Sequence, residues 1–414
     1  MSIFASADIL LPKVDSLEKW AVIACDQFTS QPEYWQRVRA LVGDAPSTLR
    51  LVLPEAELGM DDDARAGEID AEMTKLLNSG RFCEYRGVMV YVERTLLSGK
   101  VRKGLVGAVD LEAYDYGAGS TSAIRASEKT VVERIPPRKK VRQNAPLELP
   151  HVLLLCDDDE RVLIEPIAAA RDSLPKLYDF DLMEGGGHIA GWLVQGEIAE
   201  AFERRLAAYA ETVGKKYDGL SGASVLFAVG DGNHSLATAK ACYEDQKRGL
   251  SQEDALALPS RWALVELENI HDEAQAFEPI HRLVLTEEPE ALLARMRREI
   301  GADAGYPIQW IAGEKSGTIC LDERRGPLPV AILQEFLDAY MSERPCGIDF
   351  IHGEEALRQL ASREGAVGLM LPAIDKGGLF RGIVANGVLP RKSFSMGHAQ
   401  EKRYYLEARK IRQS

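Results

Sequence analysis

Asp231, Asn233, His234 and Ser235 fall within five residues, and Gly230 and Gly232 flank the carboxylate. A carboxylate can ligate a cation or take a proton. An imidazole can shuttle a proton or donate to an oxyanion, and an amide and a hydroxyl can orient a substrate. The run Val225-Leu226-Phe227-Ala228-Val229 before them has the composition of a buried strand, and the run from Leu236 to Cys242 after them reads as a helix. A strand that breaks at glycine and re-enters a helix aims first-turn N–H groups and the positive end of the helix dipole at one place. That place suits an anion, most often a phosphate. Asp231 would bring negative charge to its edge, so metal ligation or proton acceptance fits it better than phosphate contact. The plain alternative is a turn at Gly232 with Asp231 or Asn233 as a helix cap. The polar residues are denser than a turn requires, and this favours a site. Gly-x-Gly-x-x-Ser also approaches a dinucleotide fingerprint, but the third glycine and the later acidic residue are missing.

The elements needed to position this motif are those of an ordinary globular chain. At 414 residues, 46% hydrophobic and 28% charged, the chain has room for two domains and a sizeable core. A net charge of −14 argues against general nucleic-acid binding, which rests on Lys and Arg neutralising phosphates. No apolar run reaches membrane-spanning length, and Met1 to Ala5 lacks the layout of a signal peptide. The six cysteines are scattered without a C-x-x-C pair, which fits reduced thiols and a cytoplasmic location. The pattern predicts strands over 20–26, 49–55, 88–95, 103–110, 151–156, 262–269 and 280–285. Ser98-Gly99-Lys100 turns one hairpin, and Glu184-Gly185-Gly186-Gly187 turns another between 176–182 and 188–195. Helices are expected over 32–38, 64–77, 162–172 and 198–214. Beyond 286 the rhythm becomes short α/β alternation, which predicts a main α/β domain over 1–285 and a smaller α/β unit over 286–414. An α+β arrangement is the alternative.

Other residues can serve the motif. Asp26 follows an expected strand and is either a turn residue or a site carboxylate. Residues 125–140 are the most basic stretch of this acidic chain. They read either as a solvated helix face with Glu–Arg pairs or as an arginine clamp on phosphate or carboxylate. His188 alternates with apolar residues in its strand, which is the position of a satisfied structural histidine. The tail 389–398 is either a surface loop or a segment whose Lys392, Ser393 and His398 return to the cleft.

Taken in order, these pieces resemble a prokaryotic family known as domain of unknown function family 1015, some of whose members carry a ParB-like label. Its central Asp-Gly-His-His-Arg motif appears as Asp231-Gly232-Asn233-His234-Ser235. Its proline-tyrosine-aspartate turn falls on Asp26, with Cys25 in place of tyrosine. Its Arg-His-Glu-x-Thr block falls on Arg125, Glu128 and Thr130, followed by Arg134. Its His-Arg pair falls on His281 and Arg282, and its Pro-Lys-Ser segment on Pro390, Lys392 and Ser393. One histidine has become Asn233 and the arginine Ser235, so if that arginine holds a phosphate in relatives, this member has either lost the contact or recruits it from elsewhere, with Arg125, Arg134 and Arg138 as the obvious suppliers. The motif is also similar to that of the ParB and sulfiredoxin superfamily, which includes free-serine kinases. That likeness implies a mixed-sheet core of this type, with nucleotide phosphates at the strand–helix junction and acids serving metal or hydroxyl.

The function expected is a nucleotide-dependent small-molecule phosphotransferase using Mg²⁺ and ATP or ADP. Asp231, His234 and Asp26 are its catalytic candidates. Gly230, Gly232, Asn233, Ser235, Arg125, Arg134, His281 and Lys392 are candidates for the cofactor, and Asp231 and Glu128 for the metal, with Glu268 as a further ligand. The alternatives are a metal-assisted hydrolase built on Asp231, His234 and His281, a non-catalytic nucleotide-binding regulator, and a member that has lost its family's chemistry. The partners expected are a small substrate, a nucleotide and a second copy of the chain as a homodimer.

Overall fold

A computed structural model describes residues 3–29, 31–59, 62–217, 225–374 and 376–412. Met1 and Ser2, which belong to the N-terminal segment read above, lie outside the described residues. The chain divides into two compact units, 1–126 with 130–275 and 398–414, and 127–129 with 276–397. The division falls before the boundary expected at 285. The strand Phe277–Leu285 is hydrogen-bonded to Gly347–His352 and Ala366–Met370, which draws it into the second unit. The last seventeen residues belong to the first unit, 398–414.

The first unit is built on a mixed sheet, eleven-stranded among the described residues. The motif strand Phe227–Asp231 is third from one edge, parallel to Ile124–Ala126 on one side and antiparallel to Leu153–Cys156 on the other. Trp262–Asn269 runs parallel to Leu153–Cys156 and antiparallel to Val101–Asp110. The apolar runs of these strands are buried on both faces: Leu153, Leu154, Leu155, Phe227, Ala228, Val229, Val265 and Leu267 are fully covered. Val101–Asp110 pairs with Phe82–Thr95 as the hairpin pattern predicts, and Lys176–Asp181 with His188–Val194 likewise. His188 is held between Asp179 and Asp181 at 2.7 Å each, the structural role its alternation suggests.

Two expected strands do not form. Residues 49–55 lie in a segment bearing the short 3₁₀ turns Thr48–Arg50 and Glu55–Glu57, and Leu51, Val52 and Leu53 bury their side chains without joining a ladder. The run after Trp20 is covered equally well and hydrogen-bonds to the 403–405 segment, yet among the described residues it makes one β-bridge, Ile23 to Tyr404, and no ladder. In both places apolar composition marks burial rather than pairing. The basic block is neither a uniform helix face nor wholly solvated. Arg125 lies buried in the strand Ile124–Ala126, and the helix starts at Ile135.

The second unit carries an all-antiparallel sheet, six-stranded among the described residues, ordered Lys315–Leu321, Gly301–Ala312, Ala366–Met370, Phe277–Leu285 and Gly347–His352, with Phe394–Met396 also on Phe277–Leu285. Its helices are Pro289–Ile300, Pro329–Glu343, Glu354–Ala361 and Lys376–Asn386.

Candidate functional site

The motif strand ends at Asp231, and helix Asn233–Gln246 begins two residues later, so Asn233, His234 and Ser235 form its first turn. Gly232 makes the join in the left-handed region, with φ of +82°. A side chain there would be strained, and its Cβ would lie 3.0 Å from Val152 Cα and 3.4 Å from His151 Cδ2. Gly232→Ala is therefore expected to cost about 2 kcal/mol, from the left-handed backbone and the close approach together. Urea denaturation should show the midpoint falling with the slope unchanged.

Only one oxygen of Asp231 carries a hydrogen bond among the described residues. Oδ1 accepts the Gly232 N–H at 3.0 Å, and Oδ2 is buried 3.4 Å from the Lys402 ammonium, itself almost fully covered. His234 points back toward its own unit, with Nε2 accepting the Val131 N–H at 3.2 Å. Ser235 Oγ lies 3.0 Å from His151 Nε2, and His151 Nδ1 lies 2.8 Å from the Tyr405 hydroxyl. The carboxylate of Asp26 approaches the same imidazole at 4.0 Å and accepts from the Gln27 amide at 3.0 Å. Burial works against the charged form of Asp26. His151, the Gln27 bond and Lys402 outweigh it and hold the carboxyl below its ordinary range. Asp26, Asp231, His151, Ser235, Lys402 and Tyr405 thus share one neighbourhood of the first unit. Arg138 belongs to it too and is paired with Glu55.

The other expected site residues of this unit lie as follows. Arg125 is buried, donates from Nε to the Ser122 carbonyl at 2.8 Å, and has its pKa lowered by burial. Arg134 is exposed on the 3₁₀ turn Val132–Arg134. Gly230 lies in the motif strand, one residue before Asp231.

In the second unit, Glu128 accepts the Lys392 and Ser393 N–H groups at 2.9 Å each, a clamp on the Pro390–Ser393 turn. Burial pushes its carboxyl up, against those two bonds. Lys392 has φ of +58°. His281 Nδ1 accepts the Leu371 N–H at 3.2 Å, and burial lowers its pKa. Glu268, in the first unit, faces Arg102 at 2.8 Å with both side chains buried. Among the described residues no group of three His, Cys, Asp or Glu side chains could hold a metal ion.

The residues that sequence reasoning missed are His151, Lys402 and Tyr405. His151 opens a segment that reads simply as a strand, and the other two lie in a C-terminal stretch without a motif. The Asp231-to-Ser235 spacing could have asked for a cation and a base but not located them.

The described residues contain no helix long and apolar enough to cross a membrane. No curated protein matches the chain by sequence. Among solved structures, the chain is similar to "SbnI with C-terminal truncation from Staphylococcus aureus", at 10% identity over 70% of this chain and 82% of that one, with a TM-score of 0.37. It is similar to "Free serine kinase in complex with AMP" at 12% identity over 74% and 90%, with a TM-score of 0.36. It is also similar to a conserved hypothetical protein from Pyrococcus furiosus at 11% identity over 74% and 94%, with a TM-score of 0.34. The profile described as "Protein of unknown function (DUF1015)" matches residues 7–412, so the chain belongs to the DUF1015 family.

Proposed function

We propose that the first unit binds a nucleotide through its phosphates and transfers a phosphoryl group to a hydroxyl-bearing small molecule. The observation that carries this reading is the Lys402 ammonium, held on Asp231 where a glycine-capped helix begins. An ammonium and a helix N-terminus at one point offer the fixed positive charge that phosphates need, and phosphoryl transfer is mostly positioning and charge stabilisation. The Asp231 carboxylate positions Lys402. Asp26 is ionised and half-exposed, and it is the carboxylate placed to take a hydroxyl proton. Mg²⁺ bound mainly by phosphates and water needs only one or two protein carboxylates, and Asp26 fits that demand. Such an ion would neutralise phosphate charge.

The test is thermal unfolding with ATP, ADP, CTP and GTP, each with and without Mg²⁺. A ligand that binds only the native state raises the midpoint by mass action, about 2.7 kcal/mol of stabilisation at a hundredfold excess over Kd. The wild type should shift with at least one nucleotide, and Lys402→Met should lose most of that shift. Absence of any nucleotide shift in the wild type overturns the reading.

A further inference from the structure

Beside the Asp231–Lys402 pair, the first unit holds a second chain of side chains whose hydrogen bonds have a direction. The Tyr405 hydroxyl has one proton, which it donates to Cys25 Sγ at 3.1 Å, while its oxygen accepts the Cys25 N–H at 3.2 Å. With that proton committed, the 2.8 Å contact to His151 requires the imidazole to donate from Nδ1. Nε2 faces both Ser235 Oγ at 3.0 Å and the Asp26 carboxylate at 4.0 Å; the carboxylate favours the protonated ring, and the neutral form of His151 has its lone pair on Nε2 toward the serine. Nucleophile, base and orienting group therefore stand in the order that activates a serine.

The neighbouring thiol does not compete. Burial, then the Asp26 charge, push Cys25 up to about 11, so its thiolate is scarce at neutral pH. Burial keeps Tyr405 neutral as well. A cavity of about 150 Å³ adjoins Ser235 and His151, with walls that include Leu51, Leu53, Met73 and Val141. Glu55, Arg138, Arg142 and Glu148 also line it, so one side of the space is apolar and the other charged, with room for a small acyl group.

We infer that Ser235 is the nucleophile of an acyl-transfer reaction on esters or thioesters, with His151 as its base, Tyr405 as a positioning residue, and the apolar side of the cavity taking a short acyl chain. Ser235 Oγ bonds to the carbonyl carbon as its proton passes to His151 Nε2, and the carbonyl electron pair moves onto oxygen. Collapse breaks the bond to the leaving alcohol or thiol, which takes the proton from His151. Water then attacks the acyl-serine, gives its proton to the same nitrogen, and releases the acid as Ser235 regains its proton. The positive end of the helix carrying Ser235 favours the oxyanion. The reaction consumes only the ester and water and needs no nucleotide, although Ser235 lies in the first turn of the helix to which the phosphates are assigned.

The full-length protein is treated with a fluorophosphonate probe, the adduct is mapped by peptide mass spectrometry, and p-nitrophenyl butyrate hydrolysis is followed for an initial burst. The expected result is a label on Ser235 and a burst, both absent in Ser235→Ala. His151→Gln should slow labelling about 100-fold or more, the scale of a lost general base. Because His151 is buried, Tyr405→Phe serves as the second variant. It keeps the ring, should slow labelling, and should move the pH midpoint of the rate downward, because the imidazolium loses its acceptor. No label on Ser235, or labelling at wild-type rate in a folded His151→Gln, overturns the inference. So does a Tyr405→Phe variant with wild-type rate and pH profile.

Discussion

Asp26→Asn is expected to lower phosphoryl transfer by about 10²–10⁴-fold while the nucleotide-dependent rise in thermal midpoint persists. The substitution keeps the shape and removes only the charge of the half-exposed acid near His151, leaving the Asp231–Lys402 pair in place. Turnover is read as nucleoside diphosphate released from the triphosphate with Mg²⁺ across a panel of small hydroxyl compounds. A non-catalytic regulator predicts no wild-type turnover on any of them, and a loss confined to nucleotide binding would move Asp26 from chemistry to binding. The same variant has a pH signature. The folded state holds the Asp26 carboxyl below its ordinary range despite burial, through His151, Gln27 and Lys402. A group depressed in this way contributes stability above its unfolded pKa and loses it as pH falls through the folded value. The stability gap between wild type and Asp26→Asn should therefore be present at neutral pH and close on acidification below the ordinary carboxylate range. A gap that is flat with pH would show that the charge is not the source of the difference.

The strand–glycine–helix junction was legible because each part has a local cause: β-branched and apolar residues for the strand, Gly232 for a backbone that L side chains resist, and alanine-rich spacing for the helix. The strand Trp262–Asn269 and the hairpin of Phe82–Thr95 with Val101–Asp110 were legible on the same grounds. What surrounds the motif was not. His151 meets Ser235 across 84 positions and Tyr405 across 254, and no periodicity of either segment encodes those meetings. Residues 49–55 read as a strand because burial and strand pairing leave the same apolar composition, and only the tertiary structure separates them. Charge was misleading in a similar way. Arg125 looked like a clamp or a solvated residue, but it occupies a covered strand position beside the motif strand and gives its Nε to a backbone carbonyl. Glu128 was read as a metal candidate and Lys392 as a cofactor candidate; what joins them in the fold is the Lys392 backbone N–H on the Glu128 carboxylate, a contact no side-chain pattern encodes.

The C-terminal segment that supplies Lys402 and Tyr405 depends on the residue between them, and Arg403→Met should be among the most destabilising substitutions in the first unit. Arg403 is almost fully buried, and its guanidinium donates to Glu266 and Glu407 at 2.7 Å each and to the Pro150 carbonyl at 3.1 Å. Glu407 also accepts from the Tyr178 hydroxyl at 2.6 Å, so one cation anchors the segment to the strand Trp262–Asn269 and to the Lys176–Asp181 hairpin. Burial alone would lower the Arg403 pKa, but the two carboxylates reverse that and raise it. Methionine fills much of the volume but leaves both carboxylates without a cation, a change worth about 3–5 kcal/mol. Urea denaturation of Arg403→Met against wild type should show that deficit, and adding Glu266→Gln, which removes one of the uncompensated charges, should recover part of it. No recovery in the double variant would assign the loss to packing of the side-chain stem instead of to uncompensated charge.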